Sequence, residues 1–329
     1  MLSDRQNKIL KLIVERYIKD PIPVGSKVIS KELNCSSATV RNDMGELENQ
    51  GLLEKTHTSS GRVPSEAGYR YYVDNLMELK KMNAEDMLKL QIVFKNQQLA
   101  ISDVITKSLQ VISDMTNYTA VVLGSTSHEN LLKQIEVVPI DDVSMIVLVV
   151  TDKGHVEHKN IRLADVSMEE VKKTVGLINN LISGTPIDEV SRKLEFEIKP
   201  IIGNYVKQHE QLYNAFYHVF SDFTNQEVNV MGRSKMLEQP EFSSNIDKVK
   251  NVFNKLESPD LLQNITEDDE NNIKIYIGNE NNIDSDVTVI QTKYKKDGDE
   301  GTIAIIGPKR MEYDRVVGML EYIKENIER

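Results

Sequence analysis

The fold is decided by residues 26–64, which read SKVISKELNCSSATVRNDMGELENQGLLEKTHTSSGRVP. Near the middle of this stretch, Val40, Met44 and Leu47 are spaced four and three residues apart. That spacing places apolar side chains on one face of a helix, and Gly51 follows as a stop signal. The segment therefore predicts a short helix that packs against a core through this face.

The opposite face of this predicted helix is polar. It carries Ser37, Thr39, Arg41 and Asn42 near the N-terminus, where Ser36 or Ser37 offers an N-cap. Short polar groups with one long cation in the first turns are typical of a helix that enters the major groove, because those turns contact base edges. We expect Arg41 to bind guanine or a flanking phosphate and Asn42 to pair with adenine.

Two further helices are predicted ahead of it. Ser3 and Gln6 have the spacing of a capping box at the start of the first helix, and Pro21 follows its end. A second helix starts at Ser26 and ends at the turn Asn34-Cys35. It is expected to bury three apolar side chains: Val28, Ile29 and Leu33.

A polar hairpin is predicted directly after the groove-binding helix. Leu52–Lys55 has the pattern of a strand and Gly61–Pro64 that of its return. The side chains expected to reach phosphates or the minor groove are Lys55, His57, Thr58, Ser59 and Arg62. We expect backbone contact for Arg62 and base reading for the helix. The order of helices and hairpin predicts a winged helix-turn-helix over residues 1–80.

A simpler interpretation stays open, since three short helices pack together in many domains that never meet DNA. A fourth helix is predicted to turn five side chains inward: Tyr69, Tyr72, Val73, Leu76 and Met77. Its tyrosines are therefore interpreted as core and rim residues, not as a platform for stacking bases.

The charge of the chain is unevenly distributed. The 329 residues carry a net charge of −11. Residues 1–80 hold 12 Lys and Arg against 11 Asp and Glu, whereas the remainder holds 28 against 40. An acidic body does not exclude DNA binding through one end, because salt screens repulsion over about 10 Å. The single cysteine, Cys35, cannot form a disulfide within the chain. Because such a chain suits a reducing compartment, we expect a cytoplasmic protein.

Beyond residue 80 the pattern alternates between helices and strands. A long helical pattern over Ala84–Met115 includes Leu88, Ile92, Leu99 and Ile105. The segments that predict strands are 118–123, 133–163 with two turns, 228–231, 273–277, 287–294 and 302–306. Helices are expected over 168–220, 245–256 and the C-terminal residues, and a hairpin loop over 297–301. Helices that flank antiparallel strands predict a multidomain α+β protein.

The sequence offers no recognisable catalytic or cofactor chemistry. It has no glycine-rich phosphate loop, and Gly307–Arg310 is interpreted as a turn. His155 and His158 fall on opposite faces of a predicted strand, which disfavours a shared metal. We therefore expect no enzyme activity, no cofactor and no bound metal.

The residues also resemble a known family, the heat-inducible transcription repressors called HrcA. The resemblance is carried by residues 2–18, 23–76, 229–242 (NVMGRSKMLEQPEF), 273–281 (IKIYIGNEN) and 301–316 (GTIAIIGPKRMEYDRV). Its most specific parts are SATVRN at 37–42 and THTSSGRVP at 56–64, and it is weakest between Leu131 and Asp222. Gly45 departs from the pattern, because a better helix former such as Ala is expected there.

The resemblance implies a dimeric repressor that binds an inverted-repeat operator, called CIRCE, upstream of chaperone operons of the groE and dnaK type. It implies a GAF-like α/β domain over residues 81–125 and 226–329, and a dimerisation domain inserted over residues 126–225. It also implies that the chaperonin GroEL modulates the active repressor. Separately, no apolar run approaches the roughly eighteen residues of a membrane span, so we expect no membrane among the partners.

Three functional hypotheses follow. The first is a chaperone-operon repressor, which acts as a homodimer because one recognition helix reads only half a site. The second is a ligand-responsive winged-helix regulator with a metabolite in the GAF-like domain. The third is an enzyme with a DNA-binding appendage, which the absence of recognisable site chemistry disfavours.

Overall fold

A computed structural model describes residues 2–56, 61–79, 82–95, 101–123, 131–152, 154, 156–163, 166–201, 210–224, 228–243, 246–256, 272–281, 283–296 and 299–329. The chain divides into two compact units. Unit 1 comprises Met1–Leu123, Val228–Tyr294 and Thr302–Arg329, and unit 2 comprises Gly124–Glu227 and Lys295–Gly301. None of the described helices has both the length and the apolar character that crossing a membrane requires.

Unit 1 begins with three helices, a hairpin and a fourth helix. The elements are α1 (Asp4–Lys19), α2 (Ser26–Leu33), α3 (Ser37–Asn49), β1 (Leu53–Lys55), β2 (Arg62–Pro64) and α4 (Glu66–Asn75). The predicted capping box is confirmed: the Ser3 side chain accepts from the Gln6 N–H, and the Gln6 side chain accepts from the Ser3 N–H. Asn34 adopts a left-handed conformation with φ 50° and ends α2 at the predicted turn.

The predicted burial of α2 is only partly right. Ile29 is fully buried and Leu33 is partly buried, but Val28 is exposed. α2 has only eight residues and packs through one side. Because successive helical residues differ in direction by about 100°, placing Ile29 inward turns Val28 toward the surface.

The rest of unit 1 is a five-stranded sheet with helices on both sides. Its strands are β3 (Thr119–Leu123), β7 (Val228–Met231), β8 (Lys274–Ile277), β9 (Val287–Lys296) and β10 (Asp299–Pro308). Their order is β7–β3–β10–β9–β8, and β3 is antiparallel to both of its neighbours. The last two residues of β9 and the first three of β10 belong to unit 2. The helices are α5 (Ala84–Phe94), α6 (Ile101–Thr116), α11 (Arg233–Leu237), α12 (Pro240–Ser243), α13 (Ile246–Leu256) and α14 (Tyr313–Glu328).

The two faces of this sheet belong to different hydrophobic clusters, as expected when side chains alternate along a strand. Val121, Ala304 and Ile306 cluster with Met236 and Phe242 of α11 and α12. The opposite face joins a larger cluster, which also includes the core of the helix-turn-helix. Members of this larger cluster are Ile9, Ile13, Leu47, Tyr69, Tyr72, Leu109, Ala120, Val122, Ile277, Ile303, Ile305, Tyr313 and Leu320.

Two expectations for unit 1 are corrected. Leu88 and Ile92 lie on the predicted helical stripe, yet they are 58% and 65% exposed. The buried residues of α5 are Leu90 and Asp86. Asp86 faces inward because its carboxylate accepts hydrogen bonds from Arg315 of α14 at 2.9 and 3.1 Å. The predicted loop at 297–301 is also shorter than expected, since β10 already begins at Asp299.

Unit 2 has a separate core. Its strands β4 (Leu132–Pro139), β5 (Ser144–Thr151) and β6 (Val156–Arg162) form an antiparallel sheet in sequence order, as predicted. Its helices are α7 (Met168–Ile182), α8 (Val190–Lys193), a π-helical turn (Leu194–Ile198), α9 (Lys199–Ile201) and α10 (Glu210–Thr224). Val147, Ile178 and Phe216 are fully buried between the sheet and the helices.

Candidate nucleic-acid interface

α3 has the apolar face that its sequence predicts. The Ser36 side chain caps the helix by accepting a hydrogen bond from the Thr39 N–H at 3.0 Å. Val40, Met44 and Leu47 are all buried against the rest of the domain. The helix ends at Asn49, and Gly51 follows with φ 75°. The apolar face therefore fixes which side of α3 is left to meet a partner.

The predicted contact residues of α3 do not all lie on the outer surface. Arg41 and Asn42 are exposed, whereas Ser37 and Thr39 are half-buried. The Ser37 hydroxyl lies 3.0 Å from that of Ser26, and the Thr39 hydroxyl lies 2.8 Å from that of Ser36. Arg41 and Asn42 are thus the two predicted side chains best placed to reach a base.

The predicted hairpin is confirmed as a two-stranded antiparallel sheet. Leu53 pairs with Pro64 and Lys55 with Arg62. β2 is also bound to the preceding chain, because Val24 and Arg62 exchange two backbone hydrogen bonds of 2.9 and 3.0 Å. Lys55 is exposed. The predicted contacts at His57, Thr58 and Ser59 lie outside the described residues.

Gly61 lets this hairpin approach the chain closely. A Cβ atom at this position would lie 2.8 Å from the carbonyl carbon of Pro23. Backbone atoms cannot yield as the end of a flexible side chain can. The glycine of the THTSSGRVP segment is therefore required by packing between the hairpin and residues 23–24.

Arg62 faces α3. Its side chain is only 14% exposed, and Nε donates to Glu48 Oε2 at 2.7 Å. A second nitrogen, Nη2, lies 2.7 Å from the same oxygen. A phosphate contact by Arg62 would therefore have to compete with a carboxylate on α3.

Sequence reasoning missed a group of contacts that hold α3 to α1. The Asp43 carboxylate is buried and accepts from Arg5 Nε at 2.6 Å and Nη2 at 3.1 Å. Gln6 Nε2 donates to Glu46 Oε2 at 2.5 Å. One signal could have revealed them: carboxylates on a DNA-reading helix need partners, because phosphates repel them.

Among the described residues, no group of three or more His, Cys, Asp or Glu side chains is arranged to hold an ion. Cys35 lies half-buried in the turn between α2 and α3. What this surface offers a partner is a polar helix face and a hairpin.

The fold and this surface define a protein of the helix-turn-helix class. In agreement, residues 5–63 match the family model of the DeoR-like helix-turn-helix domain. Residues 102–317 match the model of the HrcA protein C terminal domain, so the chain belongs to the HrcA family.

Relatives match over nearly the whole chain. The heat-inducible transcription repressor HrcA of Bacillus pumilus is 35% identical, over 99% of this chain and 97% of its own. The protein of the same name from Brevibacillus brevis is 37% identical, over 100% and 98%. A crystal structure of a hypothetical protein at 2.2 Å resolution superimposes with a TM-score of 0.70 at 23% identity, over 99% and 98%. That structure supports the fold alone.

Proposed function

We propose that this protein is a sequence-specific transcription repressor of heat-shock chaperone operons, which binds the inverted-repeat CIRCE operator as a dimer. The observation that carries the proposal is the exposed pair Arg41 and Asn42 in the first half of α3. A guanidinium can donate to two acceptors of guanine, and a side-chain amide can pair with adenine. The names of its full-length relatives agree with a repressor.

The remaining predicted contacts have supporting roles in this proposal. Ser37 and Thr39 lie at the N-terminal end of α3, where backbone N–H groups and the helix dipole favour a phosphate. Lys55 lies at the exposed end of β1, next to the segment that contains His57, Thr58 and Ser59. These groups would hold the operator backbone and set the register of α3.

The test is operator binding by Arg41→Ala. Loss of one bidentate base contact is expected to cost about 1–3 kcal/mol and to relax preference at one position in each half-site. Binding is measured on operators with single base-pair changes at two salt concentrations. Arg192→Ala is the control, because Arg192 lies in unit 2 and is mostly exposed. An unchanged base-preference profile in Arg41→Ala would show that Arg41 does not read a base.

We further propose that unit 2 dimerises the protein and that the sheet of unit 1 is a GAF-like domain. A single recognition helix per chain reads half a site, so an inverted repeat calls for a two-fold partner. Unit 2 exposes several large apolar side chains: Val138, Ile140, Val156 and Phe196. Phe196 is 72% exposed on the π-helical turn, and covering such a side chain favours association.

Sedimentation of Phe196→Ser tests the dimer. The variant should shift from dimer toward monomer and lose affinity for the full inverted repeat, while retaining weak half-site binding. Leu88→Ser, which changes an exposed apolar residue of unit 1, serves as the matched control. A Phe196→Ser dimer as stable as the wild type would remove Phe196 from the interface.

The chaperonin GroEL is proposed to maintain the active fraction of this cytoplasmic repressor. A marginally stable protein whose active population depends on refolding loses repression when heat fills the chaperonin with other clients. Titration of purified repressor with operator counts the active molecules. Added chaperonin should raise that count and leave the affinity of each molecule unchanged. An active fraction that does not respond to chaperonin would exclude this mechanism.

A further inference from the structure

α3 carries three carboxylates in its second half, although it is proposed to enter a groove lined with phosphates. The three are Asp43, Glu46 and Glu48. At about 100° per residue, Asp43 and Glu46 lie about 60° and 120° to one side of Val40, and Glu48 about 80° to the other. The acids therefore flank the buried stripe on both sides. The outermost positions are Ala38, Asn42 and Asn49.

The first flank is held by α1. Arg5 grips the Asp43 carboxylate with two nitrogens, and only 7% of the Asp43 side chain is exposed. One turn further along, Glu46 accepts from Gln6. The Gln6 side chain is itself fixed, because its Oε1 accepts from the Ser3 N–H at 2.8 Å. The capping box of α1 thus continues into a contact with α3.

The second flank is held by the hairpin. Arg62 binds Glu48 through Nε and Nη2, while its own backbone is hydrogen-bonded to Val24. Its geometry is rigid, because a guanidinium is planar and presents its donors as a fixed fork. α3 is therefore held from opposite sides by two arginines, Arg5 and Arg62.

We infer that Arg5 and Arg62 are positioning residues that fix the rotation of α3 about its own axis, and so determine its base specificity. The inference rests on the proposed function of α3. A rotation of about 20° moves a group about 5–6 Å from the helix axis by about 2 Å. That distance breaks a hydrogen bond, whose donor and acceptor must lie within about 3.2 Å. Rotational control therefore decides whether Arg41 and Asn42 meet their bases.

A direct phosphate contact by Arg62 predicts a different change in DNA binding when its partner acid, Glu48, is removed. If Arg62 bound phosphate, removing Glu48 would free the arginine and strengthen binding to every sequence alike. If Arg62 positions α3, removing Glu48 releases one flank and blurs the base preference. The two roles are therefore separated by changing the carboxylate, not the arginine.

The experiment measures the affinity of the full-length protein for the operator and for a series of single base-pair variants. Glu48→Ala is expected to lower the ratio of operator to variant affinity about fivefold or more at the positions read by α3. Glu48→Gln should restore part of the ratio, because its amide oxygen still accepts from Arg62. Glu54→Ala is the matched control for charge, since Glu54 is an exposed carboxylate on β1 of the same hairpin.

A second variant, Arg62→Lys, keeps the charge and loses the fork. If Arg62 positions α3, this variant blurs the base preference. If Arg62 only contacts a phosphate, the variant keeps the wild-type base preference and salt slope, because lysine also neutralises a phosphate. The inference is overturned if Glu48→Ala strengthens binding to all sequences, or if both variants keep the wild-type profile. A wild-type protein without any operator preference would instead overturn the proposed function, and this inference with it.

Discussion

The hydrophobic cores of the two units differ in the substructures that they connect. In unit 1, one buried cluster joins the helix-turn-helix to the five-stranded sheet, since Ile9 and Tyr69 share it with Ile277 and Tyr313. In unit 2, the sheet and the helices bury a cluster of their own. The helix-turn-helix (α1–α4 with the hairpin, called the head below) thus shares its buried core with the sheet. We therefore expect the stability of the head to depend on residues more than two hundred positions away in the sequence.

Specific contacts also connect the helix-turn-helix to the sheet and to α14 within unit 1. The ring of Tyr69 in α4 lies 6.1 Å from that of Tyr313 in α14. Arg70 donates to the Glu280 carboxylate and to the Ile275 carbonyl oxygen. Gly278, with φ 57°, leaves room for Glu66, because a Cβ there would lie 2.1 Å from the Glu66 carboxylate. Strand β8, at the edge of the sheet, therefore packs against α4.

The largest effect is expected from truncating one core aromatic in each unit. Tyr313→Ala and Phe216→Ala each remove a fully buried ring, which typically costs about 3–5 kcal/mol. Tyr313→Ala should destabilise α1–α4 together with the sheet, because they share its cluster. Phe216→Ala should leave α1–α4 protected. Hydrogen exchange of peptides from α1 and α7 measures the two effects separately.

This pair of variants also tests whether the two units have separate cores. If Tyr313→Ala left the exchange of α1 unchanged, the helix-turn-helix would be stable without the sheet. If Phe216→Ala increased exchange in α1 as strongly as in α7, the two cores would unfold as one. The first result would contradict the shared core within unit 1, and the second would contradict the division between the two units.

A smaller loss is expected from Arg70→Ala. The variant removes the ion pair with Glu280 and the hydrogen bond to Ile275, and we expect it to lower the free energy of unfolding of unit 1 by about 1–2 kcal/mol. Arg192→Ala is the control in unit 2: its partner Glu189 lies 3.8 Å away at the surface, and such pairs contribute about 0–1 kcal/mol. Urea denaturation measures both. Equal losses in the two variants would argue that Arg70 does not join the head to the sheet.

The local structure of the head was predictable because its signals are short-range. The Ser3–Gln6 capping box, the stripe from Val40 to Leu47 and the glycine stop at Gly51 each involve residues within a few positions of one another. Each local preference agrees with the final fold, which is the condition under which sequence patterns are informative. The antiparallel strands of unit 2 were predictable for the same reason.

The long-range ion pairs of unit 1 were not predictable in this way. Asp43 pairs with Arg5 across 38 positions, and Asp86 with Arg315 across 229. Periodicity indicates that α5 has an apolar stripe, but tertiary packing decides which face is buried. In α5 the ion pair with Arg315 buries Asp86 and leaves Leu88 exposed. Long-range pairs of this kind are invisible to a helical pattern.

A modest gain is expected from replacing one glycine in a helix of each unit. Gly45 of α3 and Gly176 of α7 have no positive φ, and a Cβ at either position meets nothing within 4 Å. Gly45→Ala and Gly176→Ala should each raise the free energy of unfolding of their own unit by about 1 kcal/mol. Calorimetry with two resolved transitions would show which transition each variant shifts. A Gly45→Ala variant without any gain would mean that α3 needs flexibility at this position.

The smallest expected effect is a pH dependence confined to unit 1. Burial alone would raise the pKa of Glu280, but hydrogen bonds from Arg70 and from the Ile277 N–H, together with the charge of Arg70, leave this pKa lowered. A lowered folded-state pKa stabilises the protein above the unfolded value of about 4.3. The contribution is lost as the pH falls through the folded pKa. Glu280 is partly exposed, so we expect this contribution to be less than about 1 kcal/mol.

In Glu280→Gln the stability of unit 1 should fall less steeply between about pH 5 and pH 3, while unit 2 keeps its wild-type profile. Urea midpoints across this range measure the slope, and a slope in Glu280→Gln equal to that of the wild type would remove this carboxylate from the joint between the head and the sheet.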